Sequence, residues 1–216
     1  KNTLSGKKEK DSHLLEDGVL YVANLEEGKW EELSPRHPKL RKHPSGKFKE
    51  LKNILLFTRE AAKAVGGTPL HRPEGIVKWN DLILISLTNS VKNKDYHGSL
   101  LAIEENDHDP GALTFKPFTF SAPSGEGYSC PDNIFVLPDN SLWVCMDISG
   151  KYLGKGPYKN FKRNAFVKLT SSKDSVLSHP FLYCPMDAEV TGPSFDREHS
   201  CLFLSIQHPG EYSFTK

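Results

Sequence analysis

The chain has 216 residues, of which 37% are hydrophobic and 25% charged, and 28 Lys+Arg against 27 Asp+Glu give a formal net charge of +1. That length can bury a sizeable core in one domain or two, and the near-neutral balance nominates neither nucleic acid nor a membrane surface as partner. No apolar run approaches the roughly 20 residues of a membrane span, and no secretory signal is visible. Four cysteines (130, 145, 184 and 201) lack the CxxC spacing of a structural zinc site; they permit disulfides without demanding them.

Residues 1–13 are polar and lysine-rich and read as a frayed lead-in or a linker. Asp17-Gly18 introduces a short strand over 19–23, and residues 28–33 return beside it. Residues 34–47 carry Arg36, Lys39, Arg41 and Lys42 between prolines; an exposed insertion is the simpler reading, an anionic-ligand patch the sharper one. From 48 to 65 the period changes. Phe48, Leu51, Leu55, Ala62 and Val65 recur at helical spacing, and Gly66-Gly67 supplies a stop, so one helix with one buried face is expected at about 48–66.

Three hairpins follow. Arg72-Pro73-Glu74 opens an apolar run that turns at Asn80-Asp81 and ends near Leu87-Thr88-Asn89. Cys130-Pro131-Asp132-Asn133 opens a second that turns at Pro138-Asp139-Asn140 and ends at Asp147, so that Asp132 and Asp147 share one open end. Glu189-Val190-Thr191-Gly192-Pro193 opens a third, turning over 196–200 and ending at Gln207-His208-Pro209-Gly210. Between them, 99–103 and 113–120 read as outer strands joined by a solvated loop at 106–111, and 121–129 as a link into the central hairpin. Residues 150–163 read as a Gly- and Lys-rich loop, and 164–169 as a return to the sheet. Trp79, Phe135, Trp143 and Phe203 lie in strand runs and are expected in the core.

The opening acids are evenly spaced: 58 residues separate Glu74 from Asp132, and 57 separate Asp132 from Glu189. A period of that length carried by short strands predicts repeated sheet units, an all-β partial propeller with one inserted helix, residues 1–216 forming a single domain. Equivalent positions around one axis would bring Glu74, Asp132 and Glu189 together as a hard-cation site. Without that repeat, each acid has a plainer role in capping a turn or pairing with a basic residue.

Taken in order, Tyr21-Val22-Ala23, Thr58-Arg59-Glu60-Ala61-Ala62 through Gly67-Thr68-Pro69, Arg72-Pro73-Glu74, Leu87-Thr88-Asn89, Pro131-Asp132-Asn133, Glu189-Val190-Thr191-Gly192-Pro193 and Gln207-His208-Pro209-Gly210-Glu211 resemble the PhoX family of alkaline phosphatases across nearly the whole chain. The resemblance implies about half of a six-bladed β-propeller, a cluster of calcium and iron(III) at one end of the channel, and hydrolysis of a small phosphate-ester substrate. It implies that Glu74, Asp132 and Glu189 face the metals, that Asn89, Asn133 and Asp147 stand by as further oxygen donors, and that Arg72 holds a phosphate oxygen. It also implies an extracellular or periplasmic protein. The matching motifs are those of the family's C-terminal part, and none of the four cysteines matches the family's iron-binding cysteine. The chain is therefore expected to be a fragment, inactive alone and completed by an N-terminal segment or another chain. Two other readings stand beside this one: a calcium-dependent lactonase on a six-bladed propeller, and a non-catalytic propeller remnant used for binding.

Overall fold

Runs of Val, Ile, Leu and aromatic residues punctuated by Asn, Asp, Gly and Pro favour short strands and tight turns over helix, and the chain folds accordingly. A computed structural model describes residues 18–106, 113–121, 127–171 and 176–212. The lead-in expected at 1–13, the 107–111 part of the solvated loop and the 122–126 part of the link lie outside the described residues. The strands are β1 (Tyr21–Asn24), β2 (Lys29–Glu32), β3 (Pro73–Trp79), β4 (Leu82–Leu87), β5 (Ser99–Glu105), β6 (Phe115–Ser121), β7 (Pro131–Val136), β8 (Leu142–Met146), β9 (Ala165–Ser171), β10 (Val176–Tyr183), β11 (Glu189–Phe195) and β12 (Leu202–Gln207). Three short helices are α1 (Pro38–Arg41), α2 (Leu51–Leu56) and α3 (Thr58–Val65). The strands form four antiparallel sheets, in the orders β1-β2, β3-β4-β5-β6, β10-β9-β8-β7 and β11-β12.

The chain divides into two compact units. The first holds Lys1–Pro69 with Glu105–Pro117. In it Gly28 closes the β1–β2 turn at φ 61°, and a Cβ there would stand 2.6 Å from the Phe115 carbonyl oxygen, so only glycine fits. Leu33, Leu40, Phe48, Ile54, Ala61 and Val65 form its core. The helix expected over 48–66 is interrupted. A 3-10 turn at Lys47–Lys49 leads into α2, and Phe57, at φ −116° and ψ 41°, separates α2 from α3. The Thr58 hydroxyl donates back to the Ile54 and Leu55 carbonyls, which satisfies the acceptors that the break frees. The break also changes the buried face: Ile54 and Ala61 are inside, whereas Leu51 and Leu55 are exposed. Gly66, at φ 103°, ends α3, and Lys39 Nζ reaches the Val65 carbonyl at 2.8 Å, a cation at a helix C-terminus. Arg36, Arg41 and Lys42 are exposed.

The second unit holds Leu70–Glu104 with Phe118–Lys216 and contains all three hairpins. β3–β4 and β7–β8 each open a four-stranded meander, and β11–β12 pair as a two-stranded sheet. β5 is not an outer strand: it lies between β4 and β6, and Ser99, Leu100, Leu101, Ala102 and Ile103 are all buried. One core cluster gathers Leu84, Ala102, Cys130, Val144 and Val167 among others. A second contains Trp143 stacked on Phe166 at 4.9 Å, with Cys145, Cys184 and Val190. Phe203, expected inside, is 60% exposed, because it alternates to the strand face opposite Leu202 and Leu204, which pack against that second cluster.

The opening strands approach one another closely. A Cβ on Gly75 would stand 2.9 Å from the Asp132 carbonyl oxygen and from Ile134, so β3 lies against β7 only because that residue is glycine. Ser86 Oγ accepts from the Gly75 N–H at 2.7 Å and donates to the Asp132 carbonyl at 2.5 Å, which ties the two strands. Asn133 does the same for β7 and β11: its Oδ1 accepts from the Thr191 hydroxyl and the Gly192 N–H, both at 2.6 Å.

Candidate functional site

Each opening strand carries a bulge, between Pro73 and Ile76 in β3, Pro131 and Ile134 in β7, and Thr191 and Ser194 in β11. A bulge re-aims the residues it contains, and here those are Glu74-Gly75, Asp132-Asn133 and Gly192-Pro193. Glu74 and Asp132 therefore occupy equivalent places, whereas Glu189 sits before its bulge, paired with Gln207. The even spacing of the acids in the chain is not an even spacing in the sheets.

The residues ahead of the first two bulges repeat as well. Arg72 (φ 46°) and Cys130 (φ 50°) both adopt the left-handed conformation immediately before a proline, a costly state for a side-chain-bearing residue. Each carbonyl accepts the backbone N–H of the residue just past the partner strand, Thr88 at 3.1 Å for Arg72 and Asp147 at 2.9 Å for Cys130. This turn aims the Arg72 side chain and holds Asp147 at the open end of β7–β8.

Asp132, Asp147 and Glu189 converge, with one carboxylate oxygen from each within 4.8 Å of the others. All three are half-buried. Burial, with the charges of Asp147 and Glu74 adding to it, pushes the Asp132 carboxyl up to about 6. Burial, a hydrogen bond with Asp147 and the charges of Asp147 and Asp132 push Glu189 up to about 8. Carboxylates that resist ionising this way form a strong cation trap, because a bound cation removes both the repulsion and the desolvation cost.

Among the described residues, Arg72 is the one guanidinium against this group. Its NH2 donates to Asp147 Oδ2 at 2.6 Å, its NH1 to Asn89 Oδ1 at 3.3 Å, and its Nε stands 3.9 Å from Glu74 Oε1. Burial opposes the charge, but the bond and charge of Asp147 outweigh it and hold the guanidinium above its ordinary range. Glu74 is exposed and touches Arg72 but does not belong to the three-carboxylate group. Asn89 spends its amide oxygen on Arg72 and its Nδ2 on the Cys130 thiol and the Tyr158 hydroxyl. Asn133 has no open donor oxygen: Oδ1 holds β11, and Nδ2 donates to Asp132 Oδ1 at 3.0 Å, which makes it a positioning residue for that carboxylate.

Asp147 stands between two cavities. The larger, of about 560 Å³, is walled by Arg72, Asn89 and Asp147 on the charged side and by Tyr96, Tyr152 and Tyr158 elsewhere. The smaller, of about 250 Å³, is polar and includes Glu189, Asp187, His208 and Glu211. His208 Nε2 lies 4.0 Å from Glu189 and its Nδ1 3.9 Å from Glu211.

Several of these residues have no signature in the chain. Residues 150–163 read as a plain loop, yet two 3-10 turns there, Gly150–Tyr152 and Gly156–Tyr158, build the cavity wall. Only its glycines and tyrosines, a common make-up for a binding loop, marked it. Asn164, 1% exposed, donates to the Ile148 carbonyl at 2.8 Å and the Ala188 carbonyl at 3.0 Å and accepts from the Ile148 N–H. It thereby locks the residue after Asp147 to the residue before Glu189. Nothing in the sequence distinguishes it from its polar neighbours. Cys130, Cys145 and Cys184 are buried and Cys201 exposed, all as free thiols; burial raises the first three above the ordinary thiol range.

Among curated proteins none matches the chain in sequence. The solved structure of Pseudomonas fluorescens PhoX in complex with vanadate, a transition state analogue, matches with a TM-score of 0.74 at 24% identity. The match covers 91% of this chain, which spans 41% of that one, and it shows a shared fold. The family model for alkaline phosphatase PhoX matches residues 1–210, and on that match the chain belongs to the PhoX family of alkaline phosphatases.

Proposed function

We propose that this chain supplies part of the metal and phosphate site of a PhoX-type phosphatase that hydrolyses small phosphate monoesters. The observation that carries the reading is one guanidinium, Arg72, set between a group of three converging carboxylates and an open cavity. A carboxylate-rich site suits hard cations, so Asp132, Asp147 and Glu189 would hold calcium or iron(III), with Glu74 and Asn89 alongside and Asn133 fixing Asp132. Such ions, when bound, neutralise phosphate charge and acidify water for attack on phosphorus. Arg72 offers phosphate a bidentate contact that lysine cannot, and the left-handed turn at its own Cα pre-aims it. Asp147, paired with Arg72, keeps that guanidinium in place when phosphate is away.

The antiparallel sheets of the second unit, with inner strands β3, β7 and β11 abutting, support their being blades of an incomplete propeller. Because the chain spans 41% of the matched PhoX chain, we further propose that a complementary segment or chain completes the metal site and that activity belongs to the completed protein. Export to the periplasm or outside the cell fits the family. Among the described residues no helix is long and apolar enough to cross a membrane.

The test is hydrolysis of a phosphate monoester by the completed protein with calcium and iron(III), repeated after chelation. Activity lost on chelation and restored by both metals is expected. Lactone turnover without phosphatase activity would replace this reading by the lactonase one, and absence of metal uptake would leave a binding role.

A further inference from the structure

We propose that the cavity of about 560 Å³ beside Arg72 receives the organic group of the ester, and that it takes a flat aromatic group in preference to a polyol; this rests on the phosphoester reading above. Arg72, Asn89 and Asp147 form one wall, so a phosphate held on the guanidinium has this space beside it for whatever it is esterified to. The size falls within the range of small-molecule sites, which are mostly apolar with a few placed polar groups. It is more than a methyl or glyceryl group fills.

The other walls are mostly apolar, with Ser149 and Lys155 among them. Val91, Tyr96, Tyr152, Pro157 and Tyr158 present aliphatic and aromatic surface. Two of the polar groups on these walls are engaged: the Tyr158 hydroxyl donates to the Tyr96 carbonyl at 2.7 Å, and Lys155 Nζ donates to the Lys151 carbonyl at 2.9 Å, which leaves few to meet the several hydroxyls of a polyol. Sugar or glycerol hydroxyls entering here would give up water without full replacement, which is unfavourable. A ring gives up nothing of the kind. Tyr158 is 5% exposed and pinned by its hydroxyl, a rigid wall, while Tyr152 and Val91 are 50% and 60% exposed and have apolar surface for a ligand to cover. Covering such surface with a ring is where the preference comes from.

Phenylphosphonate and methylphosphonate carry the same anionic head and differ only in the organic group, and neither has an ester bond to hydrolyse. Calorimetric titration of the completed protein, loaded with calcium and iron(III), with each probe is expected to show phenylphosphonate bound about tenfold more tightly. Tyr152→Ala and Val91→Ala, both at exposed positions that folding tolerates, are each expected to weaken phenylphosphonate by about three- to tenfold and leave methylphosphonate unchanged, whereas Tyr152→Phe keeps the wild-type ratio. Arg72→Ala is expected to weaken both probes by the same factor. Equal affinity for the two probes, or wall variants that shift both alike, would overturn the aromatic subsite and leave the phosphate reading intact. Binding of neither probe, or binding indifferent to Arg72→Ala, would overturn both.

Discussion

Two unit charges 4.8 Å apart repel by about 3–4 kcal/mol at an effective dielectric of ~20, and among the described residues Arg72 is the guanidinium that offsets the charge of this group. Glu189 bears most of the strain, pushed up to about 8. Replacing it by glutamine removes one negative charge from the group. Glu189→Gln is therefore expected to stabilise the metal-free chain above pH 8 by about 1–3 kcal/mol and to weaken calcium binding at least about tenfold. Thermal melts with and without calcium separate those effects, since an ordinary structural residue would not stabilise one form and impair the other. Arg72→Ala is expected to raise both Asp132 and Glu189 further, which carbon-detected NMR titration reads directly. Asn133→Ala leaves the Thr191 hydroxyl and the Gly192 N–H without their partner and should cost about 1–3 kcal/mol in urea unfolding, with Asp132 freed to reorient.

β3, β7 and β11 position the site by how near they come to one another. At Gly75 two of the three nearest atoms of β7, the Asp132 carbonyl oxygen and the Ile134 nitrogen, are backbone, which cannot yield as a flexible side chain would. Gly75→Ala is expected to push β3 off β7 at a cost of about 1–3 kcal/mol, to break the Ser86 bridge and to move Glu74 away from Arg72. Denaturant midpoints measure the first effect and amide exchange at Gly75 the second. The bulges matter for the same reason. Without the extra residue in β7, Asp132 would alternate to the other face of the strand and leave the carboxylate group.

For the molecule as a whole, the carboxylates make stability depend on pH in a direction opposite to that of ordinary ion-paired acids. Asp132 and Glu189 have folded-state pKa values, about 6 and about 8, above their unfolded ones. These two groups thus bind more protons in the folded chain than in the unfolded one between pH ~4 and ~8. The stabilisation is fully present below the ordinary carboxylate range and is lost as pH rises through the folded values, by at most about 1.4 kcal/mol per pH unit for each group. Metal reverses the trend, because ions displace those protons and bind more tightly as pH rises. Melting temperature is expected to fall from pH 5 to pH 8.5 in chelator and to hold or rise over the same range in excess calcium; a flat chelator curve would mean that the carboxylates do not interact. Calcium at a hundred times its dissociation constant would add about 2.7 kcal/mol.

Strand positions, turns and the acidic openings of the three hairpins were legible from the chain, because apolar alternation and turn residues act over a few neighbours. Arg72, Asp132, Asp147 and Glu189 could be nominated that way. Their grouping could be read only in part. Spacing made Glu74 the third member of the acidic set, but the bulge registers and the turn that delivers Asp147 put Asp147 there instead. The break at Phe57, the burial of β5 and the exposure of Phe203 likewise followed from neighbours distant in the chain. Local chemistry chose which residues carry charge; close packing of β3 on β7 and the Asn133 bridge to β11 chose which of those charges meet, since separations of a few ångströms are set by backbone contact and not by counting residues.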